Sequence, residues 1–245
     1  MSKVFSGMTH GTRDGNVMDS EIAFARTSVY ALLALGFGYP DRRLFASIAN
    51  GAFAEEMEAA LAVCAGATVE AEAVAALRPD LSFEEFEAAY LRAFETDAPL
   101  PSVSLYQASY IPGLAKSDLL LELKAFYDNF GLAVAPHLHE LEDKLTAELE
   151  IMQFLAAKQA QASGRPEATG PEGMTESPAP LRVEPYVLAQ RDFLQRHLAV
   201  WLPKFNDAVT ARDLPPFFRA LAYIAAAFVV RDGEAMDEAA RQLAA

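Results

Sequence analysis

A chain of 245 residues with 52% hydrophobic content is long enough and apolar enough to bury one sizeable core, which excludes global disorder. Its 34 acidic against 20 basic residues leave a formal net charge of -14 and a pI near 4.7, a balance that repels nucleic acid and anionic membrane and attracts basic segments in a salt-sensitive way. The single cysteine, Cys64, excludes an internal disulfide framework and fits a reducing compartment.

The opening MSKVFSGMTHGTRDGNVMD has no apolar h-region, so residues 1–18 read as a mobile tail and not as a secretory signal. Asp19 and Ser20 can cap a helix to about Phe37, with Val29, Leu32, Leu33 and Leu35 apolar. GYPD at 38–41 breaks it. A short helix from Asp41 to Asn50 stops at Gly51, and another covers roughly Phe53 to Cys64. SFEE at 82–85 is a capping box, Ser82 at the N-cap and Glu85 at N3, opening a helix to Phe94. Pro99 and Pro101 bar helix from the start of TDAPLPSVSLY, 96–106. Ser117 starts a helix that ends at Phe130, before Gly131, and the longest helix runs from about Glu140 to Ala162.

SGRPEATGPEGMTESPAP, at 163–180, has no means to bury a core and reads as a solvated loop. Helices resume near Glu184 and run to Trp201, with a break or kink at Pro203. A buried helix opened by Asp213 covers 213–233, and a last amphipathic one follows from Glu234. There is no alternating strand pattern of useful length and no internal repeat. The expected fold is all-α: a single helical bundle over 19–245 with a long Gly/Pro/Glu-rich internal loop at 163–182. AYIAAAFVV, 222–230, is too short to span a bilayer, so a cytoplasmic protein without stable membrane insertion is expected.

Catalytic motifs are sparse. GFGYPD lacks the third glycine and the preceding strand of a phosphate loop, and no pair of cysteines exists for zinc or redox work. HELED, 139–143, follows a zincin pattern only to its fifth position, where Asp143 stands for the second histidine, and none of the four histidines has Glu three residues before it. His137 and His139 with neighbouring carboxylates form the alternative reading, a metal-dependent enzyme, although a distinct third ligand is missing.

Placed on a helix, Leu138, Leu141, Leu145, Leu149 and Met152 share one face, and Glu140, Asp143 and Glu150 the opposite one. Those three acids read as a solvated face, and Glu140, Glu142 and Asp143 also as favourable charges near a helix N-terminus. Glu148 falls inside the apolar arc. It is either a structural carboxylate paired with a Tyr or Arg of a neighbouring helix, or a charge kept in a groove for a basic ligand. His197 and Trp201, four apart, read as a packed aromatic pair near the Pro203 break; Tyr90 and Phe94 read as core that also shapes a recess before the Pro-rich loop.

Four stretches in order resemble the TorD/DmsD/NarJ family, cytoplasmic assembly chaperones for molybdenum enzymes. VYALLALGFGYPD (29–41) resembles the family's opening helix and turn, YLRAFETDAPLPSVSLY (90–106) its Tyr-x-x-x-Phe segment and Pro-containing loop, and FLQRHLAVWLPKF (193–205) its C-terminal helix pattern. EDKLTAELEIMQFL (142–155) resembles its Pro-Asp-His-Leu-x-x-Glu-Leu-x-Phe-Met segment, matched at Asp143, Leu145, Glu148, Leu149 and Met152. The family's Pro-Asp-His is Glu142-Asp143-Lys144 here, which leaves open any role carried by that histidine, nucleotide binding included. The turn and loop look most similar to chaperones serving nitrate, selenate, chlorate, dimethyl sulfide or ethylbenzene enzymes.

The resemblance implies a system-specific chaperone, not an enzyme. It would bind the catalytic subunit of a molybdenum oxidoreductase, or its basic-apolar twin-arginine leader, and aid cofactor insertion before export. The implied partner-binding residues are Tyr90, Phe94, Pro99, Pro101, Tyr106, Glu142, Asp143, Lys144, Glu148, Met152, His197 and Trp201. No cofactor, metal or nucleic acid is expected, and the chain would be a monomer or an exchange dimer.

Overall fold

The structure, a computed structural model, describes residues 11–64, 71–96, 102–135, 140–163 and 182–244, with side chains from residue 20 onward. Most of the expected tail and loop, together with Pro99, Pro101, His137 and His139, lies outside the described residues. Among those described, the α-helices in chain order are α1 (Gly11–Phe37), α2 (Arg42–Ala49), α3 (Ala52–Val63), α4 (Ala71–Ala75), α5 (Phe83–Tyr90), α6 (Lys116–Asn129), α7 (Leu145–Ser163), α8 (Glu184–Arg196), α9 (Leu198–Thr210) and α10 (Pro216–Leu243). Among the described residues the fold is all-α, with one isolated backbone bridge, Tyr106 to Lys144.

Several helix ends follow from their caps. Asp41 caps α2, its side chain accepting from the Leu44 amide at 2.7 Å. At α5, Ser82 Oγ accepts from the Glu85 amide at 3.3 Å while Glu85 Oε2 accepts from the Ser82 amide at 2.8 Å, the reciprocal box read in the sequence. Ser82→Ala should therefore lower stability by about 1 kcal/mol, checked by the midpoint of urea unfolding. Past Tyr90 the helix widens into a π-helical turn, Leu91–Glu95.

Other ends differ from expectation. α1 begins at Gly11, so Ser20 is not its cap; Ser20 Oγ donates to the Ala160 carbonyl of α7. α6 starts after Ala115, without a side-chain cap from Ser117. α7 begins at Leu145 and not at Glu140, because residues 143–145 are bonded to another segment. The break between α8 and α9 falls at His197 (φ -124, ψ -99), and Pro203 is carried inside α9. α10 starts at Pro216 and runs unbroken through Gly233 to Leu243, so Glu234 opens no separate helix. Gly233 is buried against Leu194, and its neighbour Asp232 is fixed in the core, enough to offset a glycine cost of about 1 kcal/mol.

α1 packs against α7 and α3, and α10 against α9 and α8. Gly36 lets α1 approach α10: a Cβ there would meet Leu221 Cδ2 at 2.6 Å. The core includes Phe37, Phe86, Phe205, Phe217, Phe218 and Trp201, all fully buried, each contributing about 1.5–3 kcal/mol by removal from water. Through this apolar mass runs a polar knot that sequence patterning did not reveal. The Arg26 guanidinium forks onto Asp232 at 2.5 and 2.8 Å and also donates to Gln159 (2.8 Å) and Gln190 (2.6 Å); the Tyr30 hydroxyl donates to Asp232 at 2.5 Å. The knot ties α1, α7, α8 and α10 in one register. Among the described residues no single helix is long and apolar enough to cross a membrane.

Candidate functional site

The residues singled out around 90–106 and 140–152 come together because the two segments are stitched to each other. The Leu145 amide donates to the Leu105 carbonyl (2.8 Å) and the Gln107 amide to the Asp143 carbonyl (2.9 Å). Asp143 Oδ2 accepts from the Ala108 amide at 3.2 Å, and Val103 is tied back to Ala93 at 2.9 Å. Asp143 is therefore fully buried, not on a solvated helix face, and Lys144 is nearly so, its ammonium reaching Glu140 at 2.5 Å. The helical phase read for Asp143 fails because this pairing claims its backbone first, and Glu140 lies ahead of α7, which starts at Leu145. Glu142, part-exposed, offers its carbonyl to the Tyr127 hydroxyl at 2.9 Å.

Beneath the stitch lies a buried polar layer. Glu148 is fully buried and accepts from Trp201 Nε1 at 3.0 Å. Its partner is thus an indole and neither a Tyr nor an Arg, and its charge is not presented in an open groove. Burial pushes the Glu148 carboxyl well above the usual range; the Trp201 N–H opposes the shift and the nearby Asp143 adds to it. Burial also raises Asp143, with the Ala108 amide and Lys116 pulling back. Glu148 Oε1, Asp143 Oδ1 and Gln107 Nε2 have no partner here, so this layer favours a protonated carboxyl.

His197 stands at the α8–α9 break with its ring 4.8 Å from Phe193. Burial first, then Arg196, lowers its pKa to about 4, so the ring is neutral. Nδ1 lies 3.3 Å from Gln107 Oε1 and Nε2 3.3 Å from Glu122 Oε1. Trp201 stacks on Tyr110 with centroids 5.4 Å apart. Phe205 joins Trp201 to Phe37, which meets Phe94. Tyr90, whose hydroxyl donates to the Phe37 carbonyl, and Phe94 are both buried, as is Met152. Tyr90, Phe94, Asp143, Lys144, Glu148, Met152, His197 and Trp201 thus form the floor of the site and not its contact surface.

The exposed face above them was only half legible. Tyr106 is part-exposed, with Lys116 Nζ 5.6 Å from its ring centre. Tyr39 is 57% exposed, 5.8 Å from Tyr90, and donates to Glu87 at 2.6 Å. Burial raises the Tyr90 and Tyr106 phenols; the negative charges of Glu95 and Glu140 add to both shifts, while Lys144 pulls that of Tyr106 back. Tyr39, Glu87 and Glu95 were not singled out in the sequence: Tyr39 read as part of the helix-breaking GYPD turn, Glu87 as one residue of a helix and Glu95 as the residue after it. Phenols and carboxylates that reach solvent suit guanidinium and ammonium groups on an apolar chain. Among the described residues no group of three or more His, Cys, Asp and Glu is placed to hold a metal.

Residues 50–207 match the family model described as nitrate reductase delta subunit. The chain is 45% identical over 210 residues to the perchlorate reductase assembly chaperone protein of Dechloromonas aromatica (strain RCB), covering 84% of this chain and 88% of that one. It is 32% identical over 191 residues to the selenate reductase assembly chaperone protein of Thauera selenatis (77% and 79% covered). Against the chlorate reductase assembly chaperone protein of Ideonella dechloratans it is 33% identical over 137 residues (55% and 63%).

Proposed function

The chain belongs to the nitrate reductase delta subunit family, whose TorD/NarJ-type members are assembly chaperones, and from that membership we propose that it is the dedicated cytoplasmic chaperone of one molybdenum oxidoreductase. It binds the catalytic subunit of that enzyme, through the basic-apolar twin-arginine leader or the mature body, and holds it for cofactor insertion before export. It is not an enzyme: its relatives are named as assembly chaperones. The relatives' names favour an oxyanion reductase as client.

One observation carries the leader reading: exposed Tyr39, bonded to Glu87, and part-exposed Tyr106 are accompanied by Glu95, Glu140 and Glu142, all of which reach solvent, and the 105–108 to 143–145 stitch holds the last of these segments in place. Arginines meet the carboxylates, and the apolar stretch lies along the rings. Glu142→Lys with Glu95→Lys should weaken binding of a synthetic twin-arginine leader peptide about tenfold or more at low salt, with an unchanged melting temperature, because both side chains reach solvent. Calorimetric titration at two salt concentrations checks it. Unchanged affinity, or binding indifferent to salt, moves the leader elsewhere. Reversal at Asp143 or Glu148 is no test, since it would bury an unpaired charge.

A further inference from the structure

Beside the N-terminal half of α7 the packing leaves a recess of about 160 Å³. Ala147, Glu150, Ile151 and Phe154 line it on α7, and Tyr127 and the 132–134 segment line it from across. Tyr127 and Ile151 are buried, whereas Leu132, Val134 and Phe154 stay part-exposed, so an apolar interior reaches solvent. A dry apolar cavity of about 150 Å³ takes a benzene ring, so this one has room for a single leucine or aromatic side chain. The apolar surface continues onto Phe130, 6.5 Å from Phe154, and Phe126, 5.4 Å from Phe130, both part-exposed.

The charges around the recess give it a direction. Glu150, Phe154 and Lys158 stand four apart, one above another on α7. Glu150 is exposed at one end. Partial burial and the negative charge of Glu140 raise its carboxyl, while Lys144, already held by Glu140, pulls it back. At the other end Lys158 Nζ lies 5.4 Å over the Phe154 ring. Lys124 on α6 is answered by Asp128 at 3.9 Å. A polypeptide seated here is therefore matched by a cation at the Glu150 end and by uncharged chain beyond it. The Glu150 end is also the one joined to the face already described: Tyr127, in the wall of the recess, donates to the Glu142 carbonyl at 2.9 Å.

We infer that this recess anchors the first large apolar side chain after the arginines of a twin-arginine leader, with the arginines at Glu142 and Glu150 and the following apolar stretch passing over Phe154 and Phe130. Basic residues followed by an uncharged apolar run are the order a leader supplies. A second copy of this chain, with net charge -14, is disfavoured by self-repulsion, and an acidic segment would meet Glu150. The inference rests on the reading that the chain binds a leader, and adds to it the anchor and the direction.

The test fills the recess from either side, with Ala147→Leu on α7 and Ala133→Leu on the facing segment. The probe is a synthetic peptide with two adjacent arginines followed by about twelve apolar residues. Each variant should keep its melting temperature and bind the probe at least about tenfold more weakly in calorimetric titration. A peptide of reversed sequence should bind the unsubstituted chain as weakly. A probe with a benzophenone side chain at the first apolar position should cross-link within 132–134 or 147–154. Unchanged affinity in both filled variants, equal binding of the reversed peptide, or cross-linking elsewhere overturns the inference. If Glu142→Lys with Glu95→Lys still weakens binding in that case, the leader reading survives; if no variant alters affinity, or the probe does not bind, both fall. A dimer in sedimentation that Ala147→Leu dissociates assigns the recess to a second copy, and competition by a leaderless client subunit assigns it to the mature body; either overturns the inference.

Discussion

Asp232→Ala should destabilise the fold by about 3–5 kcal/mol, the cost of stranding a buried charge. Arg26 and Asp232 are 2% and 4% exposed, so water cannot replace the lost carboxylate. The substitution orphans two guanidinium donors and the Tyr30 hydroxyl together, while Gln159 and Gln190 can answer only the remaining arginine donors. Chemical unfolding measures the loss. An ion pair buried this deeply adds little net stability over a well-packed apolar substitute. Arg26→Met with Asp232→Leu should therefore recover much of the loss, giving a large coupling in a double-mutant cycle. Equal losses in the single and double variants would mean that packing and not charge makes the site costly.

Glu148→Gln should stabilise the protein at pH 7 by on the order of 1 kcal/mol, the scale of one unsatisfied buried acceptor. The amide keeps an oxygen for Trp201 Nε1, removes the charge, and brings N–H donors to the orphaned side of the layer. The folded state raises the Glu148 pKa above 4.5, so the native protein binds more protons than the unfolded chain once pH exceeds that value. Wild-type stability from this group is fully present below 4.5 and is lost as pH rises toward the folded pKa. The advantage of Glu148→Gln should accordingly grow from about pH 4.5 upward and vanish below it. His197 acts in the opposite sense between about 4 and 6.5, its neutral folded form losing stability as pH falls, but it cancels between the two proteins. Glu148→Ala should lose about 2–4 kcal/mol, since it strands the indole N–H and leaves a cavity. A flat difference curve for Glu148→Gln would mean that Glu148 is ionised in the fold.

Local signals carried the fold. The Asp41 and Ser82 caps and the α6 end before Gly131 were readable because each is decided within four residues of chain. What failed was decided at a distance. Asp143 satisfied a helical period, yet the backbone of 105–108 competes for its groups 35 residues away. Gly233 reads as a stop until Leu194 fills the space over it. Of the candidate site, the chemistry was legible and the layering was not. Glu148 stood out as a carboxylate on an apolar face, but its indole partner is 53 residues away on another helix. Arg26 and Asp232, separated by 206 positions, left no periodic trace at all.

The account stands most directly on what travels with the protein. Affinity capture of the tagged chain from its native host, grown under conditions that induce the reductase, should recover a large catalytic subunit lacking its molybdenum cofactor, in a complex with this chain that dissociates once cofactor is inserted. Capture that brings down no such subunit, or only the cofactor-loaded enzyme, would contradict it.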